Sequence, residues 1–261
     1  ILLDRERIYR PENASTPLQR RIIFHFLWCM KELLDYNEAR DKTGLIRPPD
    51  RRVLVEGLPG VGKSWIINTM RNITRLLFNS NAADVASTPT GCSAALINGK
   101  THFRLMHIPT GAAFKKVPTN MNVTNRDRIE ASRMTMANVV AWFMDEHSMN
   151  GREMFAWLKH RAEELRRPQT LLPKETDGDA ADTLHHVQDG KVPMRAHQIS
   201  IPSDVHQRPW GGIPFIYSFG DSFQLAPVGM RAFYSQVKDT RTGSWSVGMM
   251  AVADFRNPPS T

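Results

Sequence analysis

Residues 56–64 read Glu56-Gly57-Leu58-Pro59-Gly60-Val61-Gly62-Lys63-Ser64, directly after the short apolar run Val53-Leu54-Val55. The segment from Gly57 fits G-x-x-x-x-G-K-[ST], and each part of that pattern has a physical task. Glycines let the backbone curl until several N–H groups converge on phosphate oxygens. A helix beginning at Ser64 adds the positive end of its dipole. Lys63 places a cation on the β- and γ-phosphates, and the Ser64 hydroxyl is a magnesium ligand. A strand before the loop and a helix after it (Ser64 to about Phe78) complete the context. Gly57, Leu58, Pro59, Gly60, Val61, Gly62, Lys63 and Ser64 are therefore expected to hold a nucleoside triphosphate, ATP, with Mg2+.

Outward from the loop, short apolar runs alternate with helical periodicity. Leu18 to Tyr36 has helical spacing (Leu18, Ile22, Phe26, Cys29, Leu33), and residues 37–51 read as a polar connector. Asp84 to Ser87 reads as a strand, followed by a small-residue helix after Pro89-Thr90-Gly91. Arg126 to Ala137 reads as a helix, Val139 to Met144 as a strand, Gly151 to Arg166 as a helix and Ile213 to Phe219 as a strand. This alternation predicts an α/β fold with a parallel sheet flanked by helices. Ligands of such sheets bind at the carboxyl ends of the strands. Polar residues gather there at 56–64, 145–146 and 220–224. Met134, Met136, Met144 and Met149 read as core filler, as do Trp142 and Trp157.

Two of those strand ends supply reactive groups. A second magnesium anchor is expected on a neighbouring strand, and Asp145 follows the apolar run 139–144. Glu146 comes next and suits orientation or deprotonation of an attacking water. Gln224, after the 213–219 strand, can hydrogen-bond the γ-phosphate or that water.

The composition limits the partners. Lys and Arg number 34 against 26 Asp and Glu, a formal charge of +8, which favours an acidic partner such as nucleic acid. The two cysteines, Cys29 and Cys92, make neither a disulfide framework nor a zinc site, so a reducing compartment is expected. No apolar run approaches the roughly 18 residues of a membrane span. The histidines His185, His186, His197 and His206 lack metal-ligand spacing.

Four segments together resemble superfamily 1 helicases, specifically the Pif-one family of ATP-dependent DNA helicases and the related helicases of rolling-circle transposons. The loop 56–64 looks like motif I. Thr88 to Ala95 with Asn98-Gly99-Lys100-Thr101-His102 looks like motif Ia. Asp145-Glu146-His147-Ser148-Met149 looks like motif II, and Trp210 to Ile213 with Gly220 to Val228 looks like motif III. Pro17-Leu18-Gln19 is similar to the family's adenine-reading Gln motif.

The resemblance implies the first of two RecA-like motor domains of the P-loop class. It implies ATP hydrolysis, with Lys63, Asp145, Glu146 and Gln224 as catalytic residues, coupled to 5′-to-3′ movement on single-stranded DNA. It also implies a monomeric motor, roles in DNA repair, recombination and telomere maintenance, and an address in the nucleus or mitochondrion. Thr90, Gly91, Thr101, His102, Phe103 and Arg104, on loops after the second strand, are the expected contacts to single-stranded DNA.

The chain departs from the family in places. His147 replaces the apolar residue of motif II, and Thr101-His102-Phe103-Arg104 moves a histidine one place earlier than the family's Thr-x-His-Ser. The expected organisation is an arm at 1–17, a motor domain at 18–235 with an irregular insertion at 168–209, and the start of a following segment at 236–261. The family's later motifs, with their arginine fingers, have no counterpart before Thr261. The 261 residues alone are therefore expected to bind ATP, hydrolyse it slowly and leave duplexes intact. A P-loop switch or DNA-binding module without unwinding is the alternative.

Overall fold

The computed structural model describes residues 10–43, 49–110, 114, 126–166, 208–224, 227 and 230. Among the described residues, five strands form one parallel sheet: β1 (Arg51–Glu56), β2 (Asp84–Thr88), β3 (Lys100–Thr101), β4 (Ala141–Met144) and β5 (Phe215–Gly220). Their order across the sheet is β1-β5-β4-β2-β3. The helices are α1 (Pro17–Thr43), α2 (Lys63–Phe78), α3 (Gly91–Leu96), α4 (His102–Met106), α5 (Arg126–Ala137) and α6 (Arg152–Arg166).

β2, β4 and β5 are buried on both faces, and the alternation of the strands divides the core into two layers. Ala141 and Phe143 of β4, with Phe215, Tyr217 and Phe219 of β5, meet α1 and α2 through Phe26, Leu33, Ile67 and Met70. Trp142, Met144 and Ile216 point the other way, onto Met136 of α5 and Phe155, Leu158 and Ala162 of α6. Trp142 and Trp157 lie in the core as expected. Trp210 fills the same layer from a left-handed turn, edge-on to Trp142 at 5.9 Å between centroids.

Several elements differ from those expected from the sequence. α1 runs on to Thr43, through residues assigned to a connector, because no Gly or Pro interrupts the chain between Tyr36 and Gly44. Its inward face is Gln19, Ile23, Phe26, Met30 and Leu33, whereas Leu18 is 61% exposed. Met134 is likewise 73% exposed and fills no core. The segment after β2 is structured: Thr101 caps α4 by accepting from the Arg104 N–H, which converts an expected loop into a helix. The described part of the amino-terminal arm packs on the sheet unit, with Ala14 in the core. The expected insertion lies outside the described residues up to position 207, as do residues 1–9 and 236–261.

Candidate nucleotide site

β1 ends at Glu56 and the chain curls through residues 57–62 before α2 begins at Lys63. Gly60 and Gly62 take φ values of +78° and +84°, a left-handed backbone that glycine adopts without strain. The loop is tied to β5, where Gly57 N–H donates to the Gly220 carbonyl at 3.0 Å. Lys63 Nζ bends back to the carbonyls of Gly57 at 2.7 Å and Leu58 at 3.1 Å, so its charge sits inside the curl.

Gln19 closes the loop from the side. Its Nε2 donates to the Val61 carbonyl at 3.0 Å, while its Oε1 accepts from Ser15 N–H at 3.0 Å and Thr16 N–H at 3.3 Å. The Gln-containing helix start therefore touches the phosphate loop although 42 residues separate Gln19 from Val61.

The carboxylates arrive from β4. This strand does not adjoin β1, because β5 lies between them. The expectation of a neighbouring strand is thus corrected, and the intervening strand is the one that carries Gln224. Asp145 is buried, and that burial pushes its carboxyl up to about 6, opposed by the Glu146 N–H it accepts at 3.0 Å, by Lys63 and by the Ser64 hydroxyl. Ser64 and Asp145 therefore meet, and a buried carboxylate beside a hydroxyl is a donor pair that fits a hard dication completed by phosphate and water oxygens. Among the described residues, no group of three or more His, Cys, Asp and Glu could hold a metal, so such an ion would lean on these two side chains. Glu146 takes a left-handed φ of +56°, and its Oε2 is buried without a hydrogen bond. A non-glycine residue in that conformation stores strain of order 1–3 kcal/mol, a cost that functional sites tolerate.

Gln224 lies in the turn after β5. Asp221 builds that turn by accepting the Phe223 N–H on Oδ1 at 3.0 Å and the Gln224 N–H on its carbonyl at 3.0 Å. The loop 57–64, Asp145, Glu146 and Gln224 thus share the carboxyl edge of the sheet.

Thr90, Gly91, Thr101 and Arg104 sit along the same edge, beyond β2 and β3. The hydroxyls of Thr90 and Thr101 accept from the N–H groups of Ser93 and Arg104. Gly91 and Arg104 are exposed. Phe103 is half-buried, with Phe114 at 5.8 Å.

His102 is different. It is 0% exposed, with Nδ1 3.0 Å from Ser87 Oγ and Nε2 accepting from Asn150 Nδ2 at 3.0 Å. It is an interior strut and cannot stack on a base from that position, a correction to its expected role. Asn150 escaped the sequence reading, as did the contact of His147 with Glu56, because nothing in a linear pattern marks residues that meet across strands.

A family model described as PIF1-like helicase matches residues 45–247. No curated protein matches the chain. Among solved structures, unliganded Pif1 from Bacteroides sp is 18% identical with a TM-score of 0.45, covering 83% of this chain and 34% of that one. Pif1 from Candida albicans is 21% identical with a TM-score of 0.44, covering 71% and 33%. Bacteroides Pif1 in complex with ADP-AlF3 and ssDNA is 20% identical with a TM-score of 0.42, covering 73% and 33%. The chain therefore spans about a third of the length of these structures. On the strength of the family match over most of its length, the chain belongs to the PIF1-like helicases.

Proposed function

We propose that this chain is the first motor domain of an ATP-driven DNA helicase, one that couples ATP hydrolysis to 5′-to-3′ movement on single-stranded DNA. The observation that carries the reading is the convergence of the loop 57–64, Asp145, Glu146 and Gln224 at one sheet edge. The loop N–H groups cradle the phosphates, and Lys63 exchanges the Gly57 and Leu58 carbonyls for phosphate oxygens. Ser64 and Asp145 would hold magnesium, which would supply charge neutralisation on the phosphates. The free carboxylate edge of Glu146 orients the attacking water. Gln224, in the turn after the intervening strand, would hydrogen-bond the γ-phosphate or the attacking water.

Single-stranded DNA takes the adjoining stretch of the edge, at Thr90, Gly91, Thr101, Phe103 and Arg104. The capping threonines hold the exposed backbone and Arg104 in place, and the excess of basic residues favours a polyanion. Repair, recombination and telomere maintenance, within the nucleus or mitochondrion, belong to this reading as the settings in which such a motor works. So do a monomeric state and a motor domain spanning 18–235.

The test is ATP hydrolysis with and without single-stranded DNA, measured on the chain extended past Thr261. Stimulation by the DNA supports a motor. Nucleotide binding with no response to DNA supports the switch instead and overturns the helicase reading.

A further inference from the structure

His147 stands where an apolar residue was expected, and it is fully buried. Its Nε2–H donates to Glu56 Oε1 at 2.8 Å. The same carboxylate accepts twice from Ser222, at Oε1 from the hydroxyl (2.9 Å) and at Oε2 from the N–H (3.2 Å). The imidazole lies on the backbone of Gly220, where an added Cβ would stand 2.7 Å from the ring. Three segments that meet only in the fold are thereby joined: the last residue of β1 before the phosphate loop, the turn after Asp145-Glu146, and the first residues of the turn that bears Gln224.

The backbone supports the same connection. Glu56 pairs with Gly220 in the β1–β5 register, and Gly57 N–H bonds the Gly220 carbonyl. The left-handed Glu146 turns the chain so that His147 enters the interior directly beneath this pair. Glu56 is half exposed, so on its own its side chain would sample several rotamers. The buried, rigid imidazole holds it in the one that faces Ser222.

We propose that His147 is a positioning residue that fixes Gln224 for reading the γ-phosphate, acting through Glu56 and Ser222. This rests on the nucleotide-site reading above and adds a mechanism to it. An apolar residue at 147 can fill the space, but it removes the one buried donor on the Glu56 carboxylate and leaves that half-exposed side chain to its Ser222 contacts, so the 221–224 turn is held less firmly. The signature is selective: affinity for a diphosphate depends on the loop 57–64 and is spared, while the extra affinity for a triphosphate is lost.

The experiment is equilibrium binding of ADP and of a non-hydrolysable ATP analogue to the 261-residue chain, with magnesium present. The wild type is expected to prefer the triphosphate. His147→Leu is expected to lower that preference by roughly five- to tenfold, the scale of one lost hydrogen bond, with ADP affinity within about twofold. His147→Gln, whose amide can still donate to Glu56, restores it. Glu56→Ala, a change at a half-exposed site, reproduces the loss, and the His147→Leu, Glu56→Ala double variant is no worse than either alone. Unchanged preference in Glu56→Ala, or additive losses, overturns the clamp. A wild type that binds both nucleotides equally also overturns it. A wild type that binds neither overturns the nucleotide-site reading itself.

Discussion

His102 Nδ1 lies 3.0 Å from Ser87 Oγ, inside the sheet edge that separates the proposed DNA contacts from the proposed hydrolytic carboxylates. Ser87 also accepts from Trp142 Nε1 at 2.7 Å, and its carbonyl accepts from Asp145 N–H at 2.9 Å. Full burial lowers the imidazole to about 3, so the ring is neutral in the folded chain. In the unfolded chain it takes up a proton near its ordinary value of about 6.5. Stability from this residue is thus complete above that value and is lost as pH falls towards 3. Between pH 7 and pH 5 the loss is about 2 kcal/mol. Urea unfolding at the two pH values should show His102→Asn losing less stability than wild type over this interval, by about that amount. An identical pH response in both proteins would place the acid sensitivity elsewhere.

Asp145 has the opposite sign. Its carboxyl is raised to about 6 by burial, above its unfolded value of 3.8, so it favours folding only when protonated. That contribution is complete below 3.8 and disappears as pH rises through 6, leaving a buried charge that costs about 3 kcal/mol at pH 7.5 when no cation is bound. Asp145→Asn should therefore be more stable than wild type in a chelator at pH 7.5, by about 2–3 kcal/mol. The same variant should lose the magnesium-dependent part of its nucleotide affinity. Denaturant melts with and without magnesium decide this, and a destabilised Asp145→Asn in chelator would count against it.

Gly62 combines two constraints. Its φ is +84°, and a Cβ there would stand 2.7 Å from Gln19 Nε2. Gly62→Ala should weaken ATP binding by roughly tenfold or more, through left-handed strain of about 1 kcal/mol and displacement of Gln19. Gln19→Ala removes the second obstacle. The double variant should bind ATP better than the sum of the two single losses predicts, and strict additivity would show that Gln19 does not press on the loop.

The parts of this architecture set by local chemistry could be read in the sequence. The loop 57–64, the apolar β4 run ending at Asp145, and the strand leading to Gln224 each carry their signal within about ten residues. The strand order could not be read, since placing β5 between β1 and β4 depends on pairing across distant segments. For the same reason the sequence placed His102 on a surface loop. Only the cap at Thr101 and the Ser87–Asn150 pocket reveal that its ring turns inward. His147 appeared as a departure from a motif, and its meaning emerged only once Glu56 and Ser222 were found beside it.

The phosphate loop is the centre of the account, and Lys63 is its decisive residue. Titration of the 261-residue chain with a fluorescent ATP analogue and magnesium, for wild type and Lys63→Ala, tests it most directly. Saturable binding by wild type, weakened by at least about tenfold in Lys63→Ala while unfolding stability is kept, is the expected result, since an ammonium–phosphate hydrogen bond contributes roughly 1.5–3 kcal/mol. Equal affinity in the two proteins would contradict the assignment of the site.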